Sequence, residues 1–172
     1  MQETPTQYMA RILANVEGKD PLGVLEATPR SLARLVDTRR EDLLRQRPAP
    51  GKWSAAEIVA HLADVEMVVG YRIRLVLGSP GVPIQAFDQD SWAAVEKYND
   101  IPVSLALEAH AALRALNLRL FRSLSPEQLD YFGMHSERGQ ESVRKMITHV
   151  AGHDLNHLRQ IEAIVGSARA TA

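Results

Sequence analysis

The sequence has 172 residues, the length of one domain, and such a chain can bury about 70 % of its extended surface. Its 45 % hydrophobic and 24 % charged residues are typical of a globular protein and exclude a disordered polyelectrolyte. A formal charge of −1 excludes a general attraction for nucleic acid, and the short apolar runs exclude a membrane span. The length predicts a single domain, residues 1–172. The N-terminal residues show no basic stretch followed by an apolar core, as a signal peptide has, so we expect a cytoplasmic protein.

The chain is predicted to be helical throughout, because alternating β-branched runs are absent and Ala, Leu, Arg and Glu dominate. Four principal helices are expected, at about residues 6–37, 54–77, 103–124 and 141–165. The first should break near residues 18–21 and again near Thr28 and Pro29, where a capping residue precedes proline. Ser54 and Glu57 have the spacing of a capping box at the start of the second helix.

Three segments between these helices are predicted to lie outside them. Residues 47–51 form a turn, residues 79–101 form a long excursion with a helical stretch at about 91–98, and residues 131–139 form a loop. Four helices with one long connection predict an all-α four-helix bundle. We expect the excursion, between the second and third helices, to cover one end of the bundle as a pocket floor or lid.

The chain contains no cysteine and six histidines. The lack of cysteine excludes disulfides, cysteine-based zinc sites, iron–sulfur clusters and a thiol nucleophile of the protein itself. Any thiol chemistry therefore needs a thiol from a substrate or cosubstrate. Three of the histidines, His149, His153 and His157, fall within nine residues near the end of the chain.

A helical wheel of the fourth helix places His157 in the middle of the apolar stripe, His153 at its edge and His149 further round. Histidines four residues apart on one helix face can share a metal ion. His149 and His157 are about 12 Å apart along the axis, so they cannot close the same site. His61 also faces the core on the second helix. A divalent ion held by His61, His153 and His157 would keep an open coordination position, as catalytic sites do.

The same histidines have a structural explanation, in which each is a buried, hydrogen-bonded core residue. The chain would then be a metal-free helical dimerisation or interaction module without catalytic activity. Other metal sites fit less well. His153 to His157 matches H-E-x-x-H with Asp for Glu, but only Glu162 follows as a further ligand, and the paired Glu-x-x-His motifs of a di-iron bundle are absent.

Several motifs, taken in order, resemble the DinB superfamily over nearly the whole chain. They are PGKWS at 50–54, HLAD at 61–64, FDQDSW at 87–92 and HVAGHDLNHLRQI at 149–161. The resemblance implies an up-up-down-down four-helix bundle that commonly forms a homodimer. It also implies that His61, His153 and His157 bind a divalent metal, zinc or nickel, with His149 outside the ligand set.

The resemblance extends to chemistry. Characterised relatives include S-transferases and isomerases that use bacillithiol, mycothiol or glutathione, in which the metal lowers the pKa of the thiol; other members are described as metal-dependent hydrolases. We therefore expect a metal-dependent enzyme that activates water or a low-molecular-weight thiol against a small-molecule substrate, without a nucleic-acid or membrane partner. A family member that binds metal without turnover is equally compatible with the sequence.

Further side chains are candidates for the surroundings of the metal. Asp154 borders the apolar stripe, so it would either orient a ligand histidine or form an interhelical salt bridge. Arg72 lies on the His61 face, and would either receive a substrate carboxylate or extend to solvent at a bundle end. Trp92 and Tyr98, in the excursion, are predicted to line a pocket.

The other polar and aromatic candidates are given structural roles. Trp53 is expected to anchor the start of the second helix rather than to contact substrate. Asp64 is expected to be solvated, and His110 and His135 are expected to lie on the surface or in loops.

Overall fold

The computed structural model describes residues 4–36 and 40–170. Its helices are α1 (Pro5–Ala14), α2 (Pro21–Leu35), α3 (Glu41–Leu44), α4 (Ala55–Gly78), α5 (Gln89–Val95), α6 (Val103–Ser123), α7 (Pro126–Asp130) and α8 (Val143–Ala170). Its strands are β1 (Pro83–Ile84), β2 (Phe132–His135) and β3 (Gly139–Ser142), and Tyr98–Asp100 forms a 3-10 turn. Over the residues described, no helix is both long and apolar enough to cross a bilayer.

The helices α2, α4, α6 and α8 form the predicted four-helix bundle. Helix α2 packs against α6 and α8, and so does α4. Helices α2 and α4 therefore lie diagonally opposite each other in the bundle, as do α6 and α8. The shorter α1 packs against the outside of α8. The Ser54 and Glu57 capping box is present at the start of α4, where the Ser54 side chain accepts from the Glu57 backbone N–H and the Glu57 carboxylate accepts from that of Ser54.

Two apolar clusters, one at each end of the bundle, define the helix directions. One joins the end of α2, the starts of α4 and α6, and the end of α8; its members include Leu32, Val59, Val103 and Ile161. The other joins the opposite ends of these helices; its members include Leu25, Ile73, Phe121 and Val150. In chain order the directions are therefore up-down-down-up. The expected up-up-down-down order is therefore not found along the chain. It is found only when neighbouring helices are followed around the bundle, in the order α8, α2, α6 and α4.

The long excursion explains these directions. It leaves the end of α4 beside β2, runs back along the side of α4, and places Tyr98 in the apolar cluster at the opposite end. Because the chain returns to the end where α4 began, α6 runs parallel to α4. The excursion thus lies along the flank of the bundle, which differs from the expected cover over one end.

The predicted break at Thr28 and Pro29 is wrong, because α2 continues through both residues. Pro29 has no N–H to donate to the carbonyl of Leu25, one turn earlier, and an unpaired buried carbonyl would be costly. Arg114 of α6 donates from Nη1 to that carbonyl oxygen at 2.7 Å. A tertiary hydrogen bond therefore allows a proline that the local sequence disfavours. The other predicted break is present between α1 and α2, and the predicted end at Asp37 lies outside the described residues.

The prediction of helix throughout misses a small sheet, in which β1 pairs parallel to β2 and β2 pairs antiparallel to β3. The expected loop at 131–139 is thus part of a hairpin, whose turn ends at Gly139 with a positive φ of 70°. Strands of two to four residues contain too few positions for alternation to be recognised. Because β3 uses residues 139–142, α8 begins at Val143 rather than at residue 141.

Candidate metal centre

Three histidines from two neighbouring helices meet in the bundle. His61 lies almost two turns into α4, and His153 and His157 lie one turn apart on α8, which packs against α4. The Nε2 atoms of His61 and His153 are 3.1 Å apart, and those of His157 and His153 are 3.0 Å apart. One ligand nitrogen from each residue lies within 4.8 Å of the other two. These residues are called the histidine triad below.

Burial keeps the triad neutral. The three side chains are 0 %, 5 % and 8 % exposed in chain order. Desolvation, with the charge of His157, lowers the pKa of His61 to about 3, and desolvation lowers that of His157 to about 4. Burial also holds the pKa of His153 well below its usual value. At neutral pH each imidazole therefore has a nitrogen lone pair available to bind a metal ion.

The triad fits a divalent metal ion of the zinc type. Zinc binds histidine nitrogens at about 2.0–2.1 Å, so two nitrogens on a tetrahedral ion lie about 3.3 Å apart. The observed contacts of 3.0 and 3.1 Å approach that separation. Hydrogen bonding among the three histidines does not by itself explain this arrangement. Each neutral imidazole has only one N–H, so the Nε2 atom of His153 cannot form a full hydrogen bond with both of its neighbours. Three histidine ligands would leave a coordination position open for a water or a substrate atom.

Two cavities meet at the triad, and both are bordered by Tyr8 and Gln89. The His157 cavity, about 510 Å³, is also lined by Trp53 and His157. The Arg72 cavity, about 350 Å³, contains His61 and His153 at one end and Arg72 in its wall. These volumes suit small molecules.

The aromatic candidates separate into two groups. The Trp53 ring lies 4.8 Å from that of His61 and borders a cavity, so this residue touches the site as well as packing at the start of α4. Tyr98 is completely buried, and its hydroxyl donates to the Asp64 carboxylate. The predictions that Tyr98 lines a pocket and that Asp64 is solvated are therefore wrong. Asp64 is half-buried, and desolvation raises its pKa.

Of the other two pocket candidates, Arg72 lies on α4 and Trp92 lies on α5, within the excursion. Arg72 is 8 % exposed and donates from Nη2 to the backbone oxygen of Gln85 at 2.5 Å. It lies in the wall of a cavity rather than extending to solvent. The Trp92 ring is 5.0 Å from that of Phe87, and both border a further cavity of about 460 Å³ with Arg72. That cavity contains no member of the triad among its described lining residues.

Asp154 takes part in a buried ion network in the centre of the bundle. The Nη2 atom of Arg114 lies 2.8 Å from Asp154 Oδ2 and 2.7 Å from Glu66 Oε1. Asn117 donates to the same Glu66 carboxylate at 3.1 Å. Of the two roles considered for Asp154, the structure thus contains the interhelical salt bridge. Desolvation raises the pKa of Asp154.

Arg114 and Glu66 were not predicted as site residues, although a pattern in the sequence points to them. Arg114 and Asn117 continue the buried face of α6 that contains Val103 and Phe121. Polar residues on a buried helix face need partners, so a wheel of α6 predicts a polar network there.

The remaining histidines are more buried than predicted. His110 and His135 are 0 % and 3 % exposed, so their assignment to the surface or to exposed loops is wrong. His110 lies on the buried face of α6, and His135 ends β2 and borders the Arg72 cavity. The ring of His149 lies 6.4 Å from that of His153, and the triad closes without it.

The fold and site define a four-helix-bundle protein with a buried three-histidine centre at the junction of two cavities. The family model of the DinB superfamily matches residues 24–161, and the chain belongs to this superfamily.

Two similar proteins of Oceanobacillus iheyensis, OB0782 and OB0413, are both named "Putative metal-dependent hydrolase". The first is 28 % identical over 152 residues, covering 88 % of each chain. The second is 26 % identical over 138 residues, covering 80 % of this chain and 79 % of its own. YfiT from Bacillus subtilis has the same fold, with a TM-score of 0.80 and 22 % identity over 86 % of this chain and 85 % of its own. Its structure is described as that of "a probable metal-dependent hydrolase with an unusual four-helix bundle topology".

Proposed function

We propose that this protein is a metal-dependent hydrolase in which His61, His153 and His157 bind a divalent ion. The observation that carries the proposal is the convergence of three buried, neutral imidazole nitrogens within 4.8 Å of one another, at the junction of two cavities. The names of the O. iheyensis relatives support the same class of reaction. A divalent ion held there supplies Lewis-acid activation of a water or a thiol at its open position.

The residues around the triad support this chemistry in defined ways. Packing of α4 against α8 fixes the ligands from both sides, so little reorganisation is needed on binding. Trp53 packs against His61, and valines line the Arg72 cavity beside His61 and His153, so the histidines have an apolar surrounding in which electrostatic interactions are stronger than in water. The two cavities leave room for a substrate beside His157 in one and beside His61 and His153 in the other.

Thiol S-transfer is a second candidate, and the pair of cavities favours it. Transfer of a thiol to an electrophile needs two reactants to meet at one point, and the His157 and Arg72 cavities do meet at the triad. The chain has no cysteine, so the thiol must come from a cosubstrate such as bacillithiol, mycothiol or glutathione.

The two candidates are tested with protein loaded with zinc or nickel. Hydrolysis is measured with p-nitrophenyl esters and amides, and S-transfer with monochlorobimane and each of the three thiols. The proposed enzyme turns over at least one substrate set, and His153→Ala loses that turnover while keeping its circular dichroism spectrum. Turnover that is equal in folded His153→Ala would contradict the assignment of the site.

A further inference from the structure

The Arg72 cavity has an apolar floor with a polar group at each end. On the α4 side the floor consists of Val65, Val68 and Val69, all between His61 and Arg72. His61 and Arg72 are eleven positions apart on α4, so their Cα atoms are separated by about 16 Å of helix rise on nearly the same face. Long helical side chains generally point back towards the start of their helix, an orientation that would shorten that distance for Arg72.

Arg72 is a buried cation without a carboxylate in ion-pair contact, as far as the described residues go. Its guanidinium donates to the backbone oxygen of Gln85 and lies 5.7 Å from the centre of the Phe87 ring. Buried Arg114, by contrast, contacts two carboxylates, and Arg138 donates to both oxygens of Glu141 at 2.8 Å. Desolvation and the charge of Arg138 lower the pKa of Arg72. Burial of an unpaired charge is costly unless an anion compensates it.

His135 adds a hydrogen-bond donor to the same cavity. Its side chain is 3 % exposed, and its Nδ1 accepts from the backbone N–H of Glu137 at 3.2 Å. Because desolvation lowers its pKa, the imidazole is neutral at pH 7, and the occupied Nδ1 places the hydrogen on Nε2. That Nε2 atom is buried and has no hydrogen-bond partner among the described residues.

We infer that Arg72 and His135 bind the carboxylate of a small substrate whose apolar chain lies on the valines and whose other end reaches the histidine triad. The inference rests on the proposed function in assigning the ligand as substrate. A monoanion fits better than a phosphate, because Glu141 already neutralises Arg138 and the Glu137 carboxylate lies at the rim of the cavity. The planar guanidinium matches the two oxygens of a carboxylate.

The test compares hexanoate with 1-hexanol, which differ in the charged head group and share an apolar chain. Affinities are measured by NMR shift titration at pH 7.5, on zinc-loaded protein and again after removal of metal with a chelator. The variants are Arg72→Met, Arg72→Lys and His135→Phe. Arg74→Met is the control, because Arg74 lies on the same helix but hydrogen-bonds to Gly70 and Asn117.

The wild type is expected to bind hexanoate about tenfold or more tightly than hexanol, the usual effect of a hydrogen bond to a charged group. Arg72→Met should abolish this preference, Arg72→Lys and His135→Phe should each reduce it, and Arg74→Met should keep it. Hexanol affinity within each variant reports whether the cavity is intact. If Arg72→Met does not fold, a reduced preference in the other two variants carries the test.

The metal-free titration separates this inference from the proposed function. Arg72 and His135 need no metal, so the preference should persist after chelation even if the triad proves not to bind an ion. Equal affinities for the two probes would overturn the inference. So would a preference that survives in Arg72→Met, or one that disappears with the metal, because hexanoate would then bind elsewhere or on the ion itself.

Discussion

Replacement of Arg114 by methionine should destabilise the protein more than any exposed arginine substitution. The Arg114 side chain is 1 % exposed and connects three helices: it contacts Glu66 of α4, Asp154 of α8 and the Leu25 carbonyl of α2 at 2.7–2.8 Å. Methionine fills much of the volume but leaves two buried carboxylates without a cation. It also leaves the Leu25 carbonyl unpaired, since Pro29 cannot donate to it.

Loss of one partner from a buried ion pair costs about 3–5 kcal/mol, a large share of the total of about 5–15 kcal/mol for a typical protein. The matched control is Arg122→Met on the same helix. Arg122 pairs with Glu26 at 2.7 Å, but the two side chains are 50 % and 60 % exposed. The loss of such a surface pair should cost less than about 1 kcal/mol.

Urea unfolding followed by circular dichroism measures both values, with the slope of the transition as a check that the same surface unfolds. Glu66→Gln and Asp154→Asn, added to Arg114→Met, should recover part of the loss because they remove the unpaired charges. Desolvation already raises the pKa of Asp154, so the deficit should also be larger at pH 7.5 than at pH 5, where protonation relieves it. Equal losses for Arg114→Met and Arg122→Met would refute this account of the network.

Two further predictions concern packing and pH. A Cβ on Gly152 would collide with the backbone oxygen of Ile12, whereas a Cβ on Gly166, in the same helix, would meet open space. We therefore expect Gly152→Ala to lower the urea midpoint and Gly166→Ala to leave it unchanged or raise it. The reverse order would contradict the contact of α1 with α8. Burial lowers the pKa of His110 from its usual value near 6.5 to about 4. At pH values between these two, the unfolded chain binds a proton at His110 that the folded chain does not. The free energy of unfolding should thus fall as pH falls from about 6.5 to 4, with a smaller slope in His110→Leu; identical slopes would exclude this contribution.

Local signals in the sequence were sufficient for the bundle and for the position of the triad. The Ser54 and Glu57 spacing defines the start of α4, and the periodicity of α8 places His153 and His157 towards the core, as the structure has them. Both arguments use residues within two helical turns of one another, where spacing determines which side chains share a face.

Tertiary partners account for what the sequence analysis missed. Pro29 stays helical because a side chain from α6 satisfies the carbonyl that it leaves open. The burial of His135 depends on a hairpin of four-residue strands, too short for a local pattern, and on its position beside Arg72. The burial of Arg114 could have been predicted from a wheel of α6, but its partners on three other elements could not. The helix directions likewise follow from the path of the excursion rather than from any single helix.

Elemental analysis of untagged protein purified without chelator tests the central claim most directly. The wild type and His149→Ala should each contain about one divalent ion per chain, as a single three-histidine site requires. His61→Ala and His153→Ala should lose most of it while remaining folded. If the wild type contains no metal and takes up none from zinc or nickel, or if His153→Ala retains as much as the wild type, the histidine triad is not a metal site and the enzymatic proposal fails with it.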